Sequence, residues 1–183
     1  MQYDLINMLM FFLLYGFGGF LLETVFRSLV ERKTYVSRGF LTNLFCPLYG
    51  ICGIVIVQIF TLSEITINSR LVSLILATLG SVVAVTLLEY ITGRVLDRKF
   101  NIKLWDYSHL PLNLHSYICL DFSLMWGIVA IILANIIHPL TEMFVYAIPE
   151  TTKLILIYLA SSTLIVNASY NMRRINHSHL IKL

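Results

Sequence analysis

The sequence predicts an all-α membrane protein: a polytopic bundle of about five transmembrane helices that forms a single domain over residues 1–183. Three observations predict it. Charged residues make up only 13% of the chain, roughly half of what a water-wetted surface carries. The apolar residues gather into runs of about 20, the length a helix needs to cross hydrocarbon. The basic residues then cluster in alternate connections, as they do when loops lie on alternate sides of a bilayer.

The spans follow in order. Residues 5–26, 41–60, 71–91 and 118–137 are each long and apolar enough. A fifth run, residues 154–170, is richer in Ser, Thr and Asn but still lacks charge. The first run does not read as a cleavable signal, because no basic stretch precedes it and no small-residue cleavage site follows. Between the fourth and fifth runs, Pro139 and Pro149 predict an elbow at the outer surface over residues 136–149. Residues 171–183 form a short basic tail.

Charge sets the expected orientation. Arg27, Arg32, Lys33 and Arg38 follow the first span; Arg94, Arg98, Lys99 and Lys103 follow the third; Arg173, Arg174 and Lys182 lie in the tail. These are eleven of the thirteen basic residues, leaving only Arg70 and Lys153 for the other side. Positive residues stay cytoplasmic, so the N-terminus is expected outside and the C-terminus inside, which an odd number of spans permits. A net charge of +3 distributed in this way speaks for orientation, and no nucleic-acid partner is expected. Three cysteines in or beside apolar runs indicate no disulfide framework.

Two stretches echo each other. Leu21-Leu22-Glu23 and Leu87-Leu88-Glu89 each end a span, and each precedes a basic loop, a cysteine (Cys46, Cys119) and a Gly-Ile-Val. The pattern fits a parallel two-helix repeat about an axis along the membrane normal. It equally fits two helix ends that share residue types at the same surface.

Ionisable groups within a bilayer cost several kcal/mol unless paired or hydrated, so each asks for a reason. Gly16, Gly19, Glu23 and Arg27 fall on one helical face, where glycines let a neighbour approach and the Glu-to-Arg order favours a pair. Glu89 lies at the matching level of the third span, with Thr86 and Gly93 on its face. The returning helices bring Asn43, Cys46, Cys119 and Asp121 to that level, and Asp106, Tyr107 and Asn113 follow in the loop beneath. The outer half of every span is nearly featureless. These residues, with Arg38, predict a polar cavity open to the cytoplasm. Arg27, Arg94 and Asp97 read better as helix-end residues reaching into headgroups. Glu23 and Glu89 do not, because a short side chain cannot reach far.

Other signals are weak. No G-x-x-x-x-G-K-[ST] occurs, so any ATP hydrolysis belongs to another chain. No H-E-x-x-H occurs, and His177 and His179 sit in a basic tail; neither a metal nor a cofactor is expected.

The ordered strings Arg38-Gly39-Phe40-Leu41, Cys46-Pro47-Leu48-Tyr49-Gly50, Leu88-Glu89-Tyr90, Trp105-Asp106-Tyr107 and Ile118-Cys119-Leu120, with Trp126-Gly127 beyond, resemble a bacterial membrane-protein family. It is the CmpB-like family described as putative ABC-transporter type IV. The likeness, which includes Gly19 and Glu23, covers residues 15–139 and omits the fifth helix and the tail. The chain departs from the family pattern at Ser37, usually Asn, and at Asn43-Leu44, usually Gly-Pro. It departs again at His115-Ser116-Tyr117, often Asn-Gly-Arg.

The resemblance implies a permease-like subunit in a bacterial cytoplasmic membrane, surrounded by lipid and driven by a separate ATPase subunit. Five helices are few for a transport path, so a homodimer is expected. Two other classes fit the residues. One is an intramembrane enzyme on a lipid-linked or amphipathic substrate, with Glu23 or Glu89 as acid or base and Arg38 on a phosphate. The other is a non-catalytic assembly factor. No nucleophile motif supports the enzyme, although polar groups on one side alone suit it better than a transporter.

Overall fold

The computed structural model describes residues 3–31 and 44–180. Its helices are α1 (Leu5–Glu31), α2 (Pro47–Thr66), α3 (Arg70–Phe100), α4 (Leu120–Ile132), α5 (His138–Ala147) and α6 (Glu150–Leu180). A two-residue antiparallel pair, β1 (Asn113–Leu114) and β2 (Ile118–Cys119), lies between α3 and α4. Among the described residues, five helical stretches are long and apolar enough to cross a membrane, in line with the predicted all-α bundle of about five spans.

α3 shows why this is a membrane fold. Ser73, Ala77, Ser81, Val85 and Glu89, at intervals of four, are its buried residues. Ile75, Leu79, Val83, Leu87 and Ile91, also at intervals of four, are exposed. A water-soluble helix hides its large apolar stripe and wets its polar one. α3 does the reverse, as a helix bathed in lipid must. Its 31 residues reach about 46 Å, longer than the hydrocarbon, so a charged end projects beyond the apolar window read from the sequence. The helix stops at Asn101, whose left-handed backbone (φ 51°) turns the following Ile102 N–H back to the Leu96 carbonyl at 3.3 Å, while its own N–H meets the Asp97 carbonyl at 2.9 Å.

The helix starts have local causes. Asp4 caps α1, its Oδ1 accepting the Asn7 N–H at 2.8 Å. Pro47 opens α2 at the position where a missing N–H costs nothing. α6 begins directly after Pro149 with an acidic first-turn residue, Glu150.

The expected elbow over residues 136–149 is corrected by the structure. The fourth span continues as helix from Leu120 to Ala147. A π-helical turn, Leu133–Ile137, closes with the His138 N–H on the Leu133 carbonyl just before Pro139. That wider turn makes room for a ring that would otherwise press on the preceding turn. The chain breaks only at Ile148-Pro149.

The chain forms two compact units, Met1–Gly50 with Phe144–Leu183, and Ile51–Met143. In the first, the α1 glycines do what their spacing predicts. The Phe45 ring lies over Gly16 and Tyr49 over Gly19, and the Cys46 N–H reaches the Gly16 carbonyl at 3.1 Å. A Cβ at Gly19 would collide with the Tyr49 Cβ, which is fixed to its backbone, whereas one at Gly18 meets open space. Gly19→Ala is therefore expected to cost about 1–3 kcal/mol, the usual range for overpacking. Gly18→Ala should be neutral or stabilising by about 0.5–1 kcal/mol. Thermal unfolding of the two variants in one detergent checks the contrast. In the second unit, α3 packs on α4, with Gly127 against Val82 and Thr78, and Gly80 faces Ile59.

Candidate functional site

Within the second unit, polar groups converge where α3 meets the start of α4. Glu89 is 8% exposed, and the Trp126 side chain of α4 hydrogen-bonds to it. It lies two residues before the end of the apolar window at residue 91, so cover by protein rather than depth in the hydrocarbon sets its surroundings. One turn above, the Thr86 hydroxyl is buried with no hydrogen-bond partner among the described residues. One turn below, Gly93 receives the Tyr117 side chain.

The loop from Asn101 to Cys119 folds against this end of the helix pair. The Trp105 indole donates to the Tyr117 carbonyl at 2.7 Å, and the Tyr117 hydroxyl donates to Asp97 Oδ2 at 2.7 Å. Tyr107 stacks on Phe122 in the first turn of α4, with ring centroids 4.8 Å apart. Tyr90 links Arg94, at 3.2 Å, with His115 Nδ1, also at 3.2 Å. The acceptor role of Asp97 holds the Tyr117 phenol above its ordinary pKa. That contribution is present below the ordinary tyrosine range and is lost as pH rises through the raised folded value. Asp106 moves the other way, held down first by the Ser108 backbone N–H at 2.9 Å and further by Lys103. Its contribution is present above the ordinary carboxylate range and is lost as pH falls through the depressed value. Protection of the amides in residues 105–117, relative to the intrinsic exchange rate at each pH, is therefore expected to hold between these limits and to fall at strongly acid or strongly alkaline pH.

The turn between β1 and β2 carries strain. His115 (φ 54°) and Ser116 (φ 62°) are both left-handed, and the Tyr117 N–H closes the turn on the Leu114 carbonyl at 3.1 Å. Asn-Gly adopts this geometry most readily, and those are the residues the family pattern often has here. The double change His115→Asn with Ser116→Gly is expected to stabilise the protein by about 1–2 kcal/mol, measurable as a raised unfolding temperature.

The predicted residues fare unevenly. Glu23 and Arg27 form the expected pair on α1 at 3.0 Å, both part-exposed. Cys46 is half-buried within electrostatic reach of Glu23. Cys119 is buried at the start of α4. Asp121 is exposed in the first turn of α4, where it faces the positive end of the helix dipole. Asp106 and Asn113 are exposed and spent on turns: Asn113 donates to the Leu110 carbonyl and accepts from the Ser116 N–H. Tyr107 is a packing residue that also donates its backbone N–H to Ser116. Arg38 and Asn43 lie outside the described residues. Glu23 and Glu89, equated by the repeat, thus have different partners, one an arginine on its own helix and the other a tryptophan on the next.

One polar contact was invisible in the sequence. In the first unit, Lys153 of α6 is 7% exposed and Asn7 of α1 is 4% exposed, and the ammonium donates to Asn7 Oδ1 at 2.7 Å. The Tyr146 ring lies beneath the ammonium, 5.4 Å from it. The first turns of α1 and α6 therefore hold a buried polar pair with a lysine in it. A lysine at the start of an apolar run gives no hint that an asparagine 146 positions away is its acceptor.

No curated protein and no solved structure matches the chain. One family does, over residues 10–172, which includes the fifth span and so reaches beyond the stretch that carried the resemblance. With all but the two ends of its sequence matched, the chain belongs to the membrane-protein family described as Putative ABC-transporter type IV.

Proposed function

We propose that the chain is the membrane-embedded, permease-like subunit of an ABC-type transport system in a bacterial cytoplasmic membrane, with ATP hydrolysed by a separate subunit. The observation that carries this reading is Glu89, an acidic residue covered by protein near one end of a spanning helix and met by Trp126 from the next helix. Intramembrane acidic residues mark solute or ion pathways far more often than they serve packing. Family membership adds the transport context. With the N-terminus outside, chain order puts the start of α1 and of α6 on the outer side and the end of α3 on the inner side.

The test is to purify the tagged chain gently from its native membranes and assay ATP turnover in proteoliposomes. An ATP-hydrolysing subunit should co-purify, with turnover that depends on this chain. Isolation without any ATPase, together with membrane ATP turnover indifferent to loss of the chain, would defeat the proposal.

A further inference from the structure

We infer that the end of α3 and the β1–β2 turn form a binding site for the phosphate of an anionic phospholipid, placed where hydrocarbon gives way to headgroups. The exposed face of α3 changes character there within one helical turn. Val83, Leu87 and Ile91 on that face are 59%, 55% and 55% exposed. The next residues along it are Arg94 and Arg98, both exposed. An acyl chain lying against the apolar stretch brings its own headgroup to the level of Arg94.

The hairpin reaches the same boundary from the other helix. Leu120, the first residue of the fourth span, donates its N–H to the Leu112 carbonyl at 3.3 Å, and Leu114 pairs with Ile118. β1 and β2 are therefore held against the start of a spanning helix. Leu112 is 76% exposed and Leu114 is half-exposed, and at this level the medium that covers bare leucines is the edge of the acyl layer.

The polar groups between these apolar surfaces are donors in need of an anion. Arginine only donates, so the Tyr90 hydroxyl oxygen accepts from Arg94, and its own proton can then go to His115 Nδ1. With the imidazole neutral, that leaves a ring N–H on Nε2, and the guanidinium keeps further N–H groups. Lys103 reaches Ser116, the neighbour of His115, at 3.4 Å. The nearby carboxylates are engaged: Asp97 accepts from Tyr117, while Asp106 accepts from the Ser108 N–H and faces Lys103 at 3.7 Å. The ion pairs among the described residues are Arg27–Glu23 and Lys103–Asp106, so no carboxylate pairs with Arg94. Phosphate oxygens match a guanidinium with a ring N–H beside it, and a lipid supplies them at this depth. The strained turn fits that role, because strain that Asn-Gly would relieve is retained where His115 and Ser116 are presented. The site depends on neither Glu89 nor the transport reading.

Native mass spectrometry of the purified full chain, titrated with dioleoyl-phosphatidylglycerol or dioleoyl-phosphatidylcholine, tests it. The first anionic lipid is expected to bind about tenfold more tightly than the zwitterionic one. Arg94→Gln should cut that ratio about fivefold, the effect of one basic residue near a charged lipid surface. His115→Gln should cut it in the same direction. Both residues are exposed, so an unchanged unfolding temperature is expected to show that the variants fold. Arg70→Gln removes the same charge at the opposite end of α3 and should leave the ratio as it was. A wild-type ratio near one, or an equal fall in Arg70→Gln, overturns the proposal. Excess glycerol 3-phosphate should leave the bound lipid in place; if it displaces the lipid, the ligand is a soluble phosphate and the lipid assignment fails.

Discussion

Replacing Glu89 by glutamine is expected to leave the protein folded and at its normal abundance in the membrane while ATP turnover by the assembled system falls about tenfold or more. Glutamine has nearly the shape of glutamate and keeps a carbonyl oxygen for Trp126, so the α3–α4 contact survives. What it removes is the capacity to carry or exchange charge at a buried position. A tenfold loss is only about 1.4 kcal/mol of barrier, far less than the several kcal/mol that siting a charge in the bilayer involves. Glu89→Ala behaves differently. It opens a cavity and strips the Trp126 indole of its acceptor, a combined cost of about 2–4 kcal/mol that should appear as lost abundance and a lowered unfolding temperature. If Glu89→Gln proves as unstable as Glu89→Ala, the carboxyl is a packing group and the transport reading loses its main support.

Much of the fold was legible because a bilayer leaves few solutions. With no water to satisfy the backbone, apolar runs of this length must be helices. Where the physical cause was local in sequence, side-chain detail was legible too. Gly16 and Gly19 share a face with Glu23 and Arg27, and the structure shows both the close approach and the ion pair. The outcome was different where the cause lay in a distant segment. Pro139 reads as a break in isolation and is absorbed by a π turn that no propensity announces. Asp106 and Asn113 read as part of a polar site, yet their oxygens are committed to the turns of a folded loop. That loop rests on Trp105, Tyr107 and Tyr117, aromatic residues whose partners come from α3, α4 and the loop itself. Sequence order cannot show such a convergence. Glu89 stands out in the sequence as an acidic residue within an apolar run, but its acceptor role toward Trp126 depends on a helix pairing that only packing fixes.

The Asn7–Lys153 contact gives the second large effect. Asn7→Leu should destabilise the first unit by about 3 kcal/mol, because it leaves a buried ammonium without its acceptor, the costliest way to break a buried polar pair. An ordinary interhelical hydrogen bond in a membrane is worth only about 0.6 kcal/mol, so a loss of the larger size would identify the charge as its source. Adding Lys153→Met to Asn7→Leu removes that charge at similar side-chain length, and most of the stability should return. Lys153→Met alone, which orphans only the Asn7 oxygen, should fall between the two, completing a double-mutant cycle read by unfolding in lipid bicelles. A silent Asn7→Leu, or a double variant no better than the single, would mean that the ammonium finds solvent and the pair has no structural weight. If the double variant is stable yet ATP turnover in the assembled system still fails, the buried charge at the start of α1 and α6 belongs to the transport path and not merely to the helix contact.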